Sequence, residues 1–417
     1  RIASLDKGVS MQRLAIASCV VVLLAACQPS SEERGRTNVV TAAAVRPANV
    51  NDERLRHADD HAGQWMSHGR TYSEQRFSPL TQINMANVHQ LGLALFGDFD
   101  TRRGQESTPL VIDGVLYVST AWSKVYAYDA RTGKELWKYD PKVPGEWGVR
   151  TCCDVVNRGL AAWNGKVYIG TIDGRLIALD AATGERVWSA QTTDPEKWYS
   201  ITGAPRIAKG KVFIGQAGGE FHQRGYISAY DAETGALLWR WYTVPGNPAD
   251  GFENAQMEAA AKTWSGEWRK TGGGGTTWDS IVYDPDTNYV LVGTGNGAPW
   301  PAHIRNQGGK NQDNLFLSSI VALDADTGEY AWHYQMTPEE SWDYDGTQQI
   351  MLADLEIDGE RRHVAMQANK NGFFYVLDAR TGKLLSAEPF VAGVNWATGI
   401  DMKTGRPRIN PQARYDK

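Results

Sequence analysis

Apolar and polar positions alternate along most of the chain, in short runs separated by turn residues. Five segments repeat one arrangement: "VYAYDARTGKELWKY" at 125–139, "LIALDAATGERVWSA" at 176–190, "ISAYDAETGALLWRW" at 227–241, "IVALDADTGEYAWHY" at 320–334 and "FYVLDARTGKLLSAE" at 374–388. In each, the alternating run predicts a half-buried strand. Asp-x-x-Thr-Gly then supplies turn chemistry, the glycine taking a positive φ. A second strand follows and ends in Trp137, Trp188, Trp239 or Trp332 in the first four. A weaker copy, "SIVYDPDTNYVLVG", occupies 280–293. The marker residues Asp129, Asp180, Asp231, Asp284, Asp324 and Asp378 recur at the spacing of a repeat array. Further strand-like runs, such as "PLVIDGVLYVST" and "GKVYIGTIDG", lie between copies. Each unit therefore reads as about four antiparallel strands, the composition of a propeller blade. The predicted fold is an all-β propeller with five or six blades visible and no closing strand at the C-terminus. Residues 252–268, "FENAQMEAAAKTWSGEW", carry a helical pattern and predict an insertion between blades.

The N-terminal pattern is different. Met11 and Arg13 precede the apolar run "LAIASCVVVLLAA" at 14–26. This run is short for a membrane span and fits a signal segment. It ends in "LAAC", which resembles the lipobox of bacterial lipoproteins and implies a lipid anchor through Cys27; the alternative is an ordinary cleaved signal. Gln28, with no Asp after the cysteine, points to the outer membrane. Residues 28–60 are polar and read as a flexible tether. The expected organisation is therefore a signal at 1–27, the tether at 28–60 and a propeller over 61–417, located in the periplasm.

Composition narrows the classes. Of the 417 residues, 42% are apolar and 22% charged, as in ordinary globular chains, and a net charge of −5 gives no reason to expect nucleic acid as a partner. Sixteen tryptophans demand a repeated structural job, which the blades supply. Export leaves Cys152 and Cys153 as the cysteines of the mature domain, in a compartment that permits disulfides. Adjacent Cα atoms are about 3.8 Å apart, closer than the roughly 4.4–6.8 Å usual across a disulfide. A bond between them would close a strained eight-membered ring, and two free thiols are the open alternative.

Several non-repetitive strings carry further candidate chemistry. They are "TCCDVVNRG" at 151–159, "GQAGGEFHQRGY" at 215–226, "TGGGGTTWDS" at 271–280, "GTGNGAPW" at 293–300, "SWDYDG" at 341–346 and "NKNGFFYVLD" at 369–378. Taken singly, Glu220 and Asn296 read as turn residues, Asp345 as a solvated turn residue and Lys370 as one more surface lysine.

Together these strings resemble the PQQ-dependent alcohol dehydrogenases, quinoproteins whose eight-bladed propellers carry the tryptophan-docking motif Ala-x-Asp-x-x-Thr-Gly-x-x-x-Trp. The resemblance runs from about Trp65 to the end, with the last blades expected beyond Lys417. It implies a Cys152–Cys153 disulfide ring on one face of the quinone and Trp278 as the floor on the other. It also implies cofactor contacts from Glu106, Arg158, Thr202, Gly218, Gly219, Thr276 and Lys370. Gly219 stands where the family more often has alanine. Glu220, Asn296 and Asp343 would hold a cation, Asp343 also serving as the base that takes the alcohol proton. Hard oxygen ligands suit Ca²⁺, while Asp345 matches an extra carboxylate of members that use lanthanides, so both ions stay open. The implied activity is oxidation of primary alcohols to aldehydes, with electrons passing to a cytochrome c. The sequence contains no C-x-x-C-H haem motif. The docking motif also occurs in non-catalytic periplasmic lipoproteins that act as assembly scaffolds. That alternative has no use for the cysteine pair, Glu220 or Asp343.

Overall fold

The computed structural model describes residues 47–309 and 312–414. The apolar run at 14–26, Cys27 and the first part of the expected tether lie outside the described residues. Five four-stranded antiparallel sheets follow one another along the chain, at 110–139, 161–191, 206–242, 281–335 and 350–389, and a two-stranded hairpin follows at 397–409. The first strands of the second to fifth sheets touch in sequence, so they line the axis of a propeller. Each sheet is thus a blade.

The repeat works as its chemistry suggests. Asp129 Oδ1 accepts from the backbone N–H of Arg131 and Thr132 and from the Thr132 hydroxyl at 2.8–3.1 Å. Asp231 and Asp378 close the same turn. Each tryptophan then fastens its blade to the next. Trp137 Nε1 donates to the Ala181 carbonyl at 3.1 Å, Trp188 to Ala232 at 3.1 Å, Trp239 to Ala325 at 3.2 Å and Trp332 to Ala379 at 3.1 Å. The indole lies over the turn glycine of the next blade, Gly184, Gly235, Gly328 or Gly382, each at φ +71° to +74°. A Cβ at any of the four would fall 2.4–2.7 Å from the ring. Glycine is therefore required there for both backbone and space.

Three expectations are corrected. The weaker copy at 280–293 is not a blade of its own: Ile281–Asp284 and Tyr289–Gly293 are the first two strands of the blade that contains 320–334. Asn288, at φ +61°, stands where the other turns have glycine. At the C-terminal end, strands Ala397–Asp401 and Arg406–Ile409 form a hairpin where no strand was expected, around a further turn in which Asp401 Oδ1 accepts from the N–H of Lys403 and Thr404. Thirdly, residues 47–60 are not a free tether. The short helix Asp52–Arg56, capped by the Asn51 side chain, packs with buried Ala48, Val50, Leu55 and Ala58 in the main core. The expected helical insertion is present but shorter, as helix Ala255–Ala261 followed by the turn Trp268–Lys270.

The segment 65–76 crosses the blades as a strap. Trp65 pairs with Val111 of the first blade, Glu74 binds Arg206 Nε of the third at 2.7 Å, and the Ser73 carbonyl accepts from Leu352 N–H of the fifth at 2.9 Å. Glu74 and Arg206 are both buried, so their charges compensate each other out of water.

Candidate functional site

A cavity of about 220 Å³ is lined by Cys152, Cys153, Val156, Arg158, Ser200, Thr202, Ala217, Glu220, Trp278, Asp343, Asp345 and Lys370. Nine of these twelve residues were singled out from sequence; Val156, Ser200 and Ala217 were not. They are small or apolar residues and carry no signal of their own.

The remaining predicted residues stand directly behind the wall. Glu106 Oε2 binds Arg158 Nη2 at 3.0 Å. Gly218 and Gly219 open the turn that carries Glu220, and a Cβ on Gly219 would sit 3.3 Å from Thr276 Oγ1, so loop 218–220 and loop 271–278 are neighbours. Loop 271–278 in turn lies against the strand end at 293–298: Gly275 N–H donates to the Asn296 carbonyl at 2.8 Å, and a Cβ on Gly274 would be 2.4 Å from that carbonyl. Backbone approach this close explains the glycine run better than flexibility does.

Charges dominate one side of the cavity. Lys370 Nζ lies 2.8 Å from Asp343 Oδ2 and 3.8 Å from Asp345 Oδ2. Burial works against the Lys370 ammonium, yet the bond to Asp343 and the two aspartate charges raise its pKa overall. Burial, with the Asp343 charge, pushes Asp345 up to about 7 and raises Glu220 as well. Asp345 also has a structural duty, since its Oδ1 accepts the Asn296 backbone N–H at 2.9 Å. The Asn296 amide N–H donates to the Gly297 carbonyl at 3.2 Å, which leaves its side-chain oxygen as the atom able to ligate.

On the other side, Arg158 lies with its guanidinium carbon 5.2 Å from the Trp278 ring centre and its Nε 3.8 Å from Asp279 Oδ2. Its Nη1 is buried with no hydrogen-bond partner among the described residues. The Cys152 and Cys153 sulfurs are 2.6 Å apart, closer than unbonded sulfurs pack and longer than the roughly 2.0 Å of a disulfide. Burial raises the Cys152 thiol pKa.

Fold and cavity together define a tryptophan-docked β-propeller with a polar cleft, an aromatic wall, vicinal cysteines and clustered carboxylates beside a lysine. The glucose/ethanol/alcohol dehydrogenase β-propeller model, PQQ, matches residues 65–387, and the chain belongs to this family. It is 57% identical over 380 residues to the quinohemoprotein alcohol dehydrogenase ADH IIB of Pseudomonas putida, covering 91% of this chain and 55% of the relative. A solved structure of quinohemoprotein alcohol dehydrogenase ADHIIG from Pseudomonas putida HK5 matches with a TM-score of 0.86 and 56% identity, over 88% of this chain and 54% of that one. A europium-containing methanol dehydrogenase matches with a TM-score of 0.80 and 40% identity, over 87% and 64%. The chain spans about half the length of the quinohemoprotein relatives it matches.

Proposed function

We propose that this protein oxidises primary alcohols to aldehydes with pyrroloquinoline quinone and a Ca²⁺ ion, and passes the electrons to a cytochrome c. One observation carries the reading: residues from four separate blades and their loops, Cys152, Cys153, Arg158, Glu220, Trp278, Asp343 and Lys370, converge on one cavity. The residues suit the group. The quinone is a flat tricarboxylate, and the buried, unpartnered Nη1 of Arg158 is a donor awaiting an anion. Trp278 offers a flat face for stacking. Glu220, Asn296 and Asp343 offer the oxygen donors a hard cation prefers.

When bound, the quinone supplies the two-electron acceptor and the cation a Lewis acid beside it. The chain's own residues do the rest. Glu106 orients Arg158 at 3.0 Å, and Lys370 orients Asp343 through Oδ2 at 2.8 Å. Asp343 Oδ1, the oxygen not bonded to Lys370, accepts the proton of the alcohol hydroxyl. Cys152 and Cys153, joined as a disulfide, would wall the face opposite Trp278. Asp345 adds a carboxylate that would suit a trivalent ion, and the europium-containing relative supports testing one. The periplasm and a Cys27 lipid anchor belong to the same reading, on the strength of the segment 11–27.

The test is reconstitution of the full-length protein with the quinone and Ca²⁺, with La³⁺ in a parallel arm. Quinone absorbance and dye reduction with ethanol are expected. A protein that takes up neither quinone nor ion would overturn the proposal and return the scaffold reading.

A further inference from the structure

Asp343 sits at φ +63°, a backbone region that residues other than glycine seldom occupy. Something must hold it there. The buried carboxylate of Glu340 does so from both sides: its Oε1 accepts from the Trp342 N–H at 2.5 Å and from the Tyr344 N–H at 2.9 Å. One oxygen thus brackets Asp343 through the N–H groups of the residues before and after it.

Glu340 is itself tied to the other side of the site. Its backbone carbonyl accepts from Arg305 Nη2 at 2.6 Å. Arg305, also fully buried, donates through Nη1 to the Pro299 and Trp300 carbonyls at 2.7 and 2.8 Å, in the loop that begins at Asn296. Asp345 closes the frame by accepting the Asn296 N–H. Side-chain-to-backbone hydrogen bonds of Glu340, Arg305 and Asp345 thus tie the loop at Asn296 to the turn at Asp343. The second oxygen of Glu340, Oε2, is buried with no hydrogen-bond partner among the described residues, and a buried carboxylate left half-paired is unfavourable.

We infer that Glu340 is a positioning residue for Asp343: it fixes the strained backbone that aims this carboxylate at the cation and the alcohol. The inference rests on the proposed role of Asp343 and adds the device that sets its geometry. It predicts that an acceptor oxygen at this place matters more than its charge.

The experiment compares Glu340→Gln, which keeps an acceptor oxygen at the same reach, with Glu340→Leu, which removes it, in the full-length quinone-loaded protein. Ca²⁺ is titrated by calorimetry after chelator treatment, and kcat and KM for ethanol are measured separately. Glu340→Leu should weaken Ca²⁺ binding by about 10- to 100-fold, the range seen when partners behind a ligand are lost. It should also lower kcat by about 100-fold, as expected for a shift of roughly 1 Å at the base, with KM little changed. Glu340→Gln should stay within about threefold of wild type in both, by the same principle. If the leucine variant fails to fold, Glu340→Ser, too short to reach either N–H, carries the same expectation. Wild-type Ca²⁺ affinity and kcat in the leucine or serine variant would overturn the inference. So would a glutamine variant as impaired as either. A wild-type protein that binds neither quinone nor Ca²⁺ would instead sink the proposed function, and this inference with it.

Discussion

Docking of each indole on the next blade's glycine can be isolated with two substitutions, Gly114→Ala and Gly235→Ala. Both glycines have positive φ, +82° and +74°. They differ in surroundings: a Cβ on Gly114 meets nothing within 4 Å, whereas a Cβ on Gly235 would lie 2.7 Å from Trp188 Cε3. The backbone effect of placing alanine in the left-handed region is about 1–2 kcal/mol and common to both. Forcing a methyl against a packed indole adds about 1–3 kcal/mol. The Trp188 Nε1 bond to the Ala232 carbonyl, 3.1 Å long, keeps the ring from sliding away without further loss. Gly114→Ala should therefore cost about 1–2 kcal/mol and Gly235→Ala about 2–5 kcal/mol. A gap of 2 kcal/mol is about a 30-fold difference in folding equilibrium. Guanidinium titrations followed by tryptophan fluorescence measure it, provided the slopes agree. Equal midpoints for the two variants would refute the docking argument, and an unchanged Trp188 environment in Gly235→Ala would show that the ring carries no interblade load.

Asp343→Asn should keep quinone uptake and lower alcohol turnover by about 10²- to 10⁴-fold; turnover at the wild-type rate would place the base elsewhere. Protein recovered from an oxidising compartment and alkylated without reduction should show Cys152 and Cys153 unlabelled and lighter by two hydrogens, and two labelled thiols would rule out the ring. His333, packed edge-on against Phe316 at 4.8 Å, has its pKa lowered by burial from 6.5 to about 4. The unfolded chain therefore binds the extra proton first, so the stability His333 contributes is complete above pH 6.5 and is lost as pH falls toward 4. His333→Gln should flatten that window, narrowing the stability difference between pH 7 and pH 4.5 by about 2 kcal/mol; parallel pH curves for the two proteins would contradict the assignment.

The blades were legible because their chemistry is local. Asp, Thr and Gly of one turn and a tryptophan a few residues later contain all the groups that close a blade. The weaker copy misled because Asn288 does the work of glycine within a longer blade, and Asp401 was passed over because no docking tryptophan follows it. Residues 47–60 read as tether because what they bury is small and scattered, one Val, one Leu and two Ala among charged neighbours. At the site, residues with unusual neighbours in sequence, such as paired cysteines or a tryptophan after a glycine run, could be picked out. Glu340 could not: in "TPEESWDYDG" nothing distinguishes it from half-buried Glu339, because its burial depends on Arg305 and on a peptide bracket visible only in three dimensions.

The interblade tryptophans also impose an order in time. Each donates to a carbonyl made later, 44 residues on for Trp137 and Trp188, 86 for Trp239 and 47 for Trp332. At about 5–20 residues per second, the acceptors of the first two latches are made roughly 2–9 s after their donors, and that of the third roughly 4–17 s after. The chain that emerges during that longer wait includes the glycine run, Trp278 and Asn296. The outer strand of the third blade thus waits unfastened about twice as long as any other, while the loop that carries Trp278 and the strand end at Asn296 are still being made.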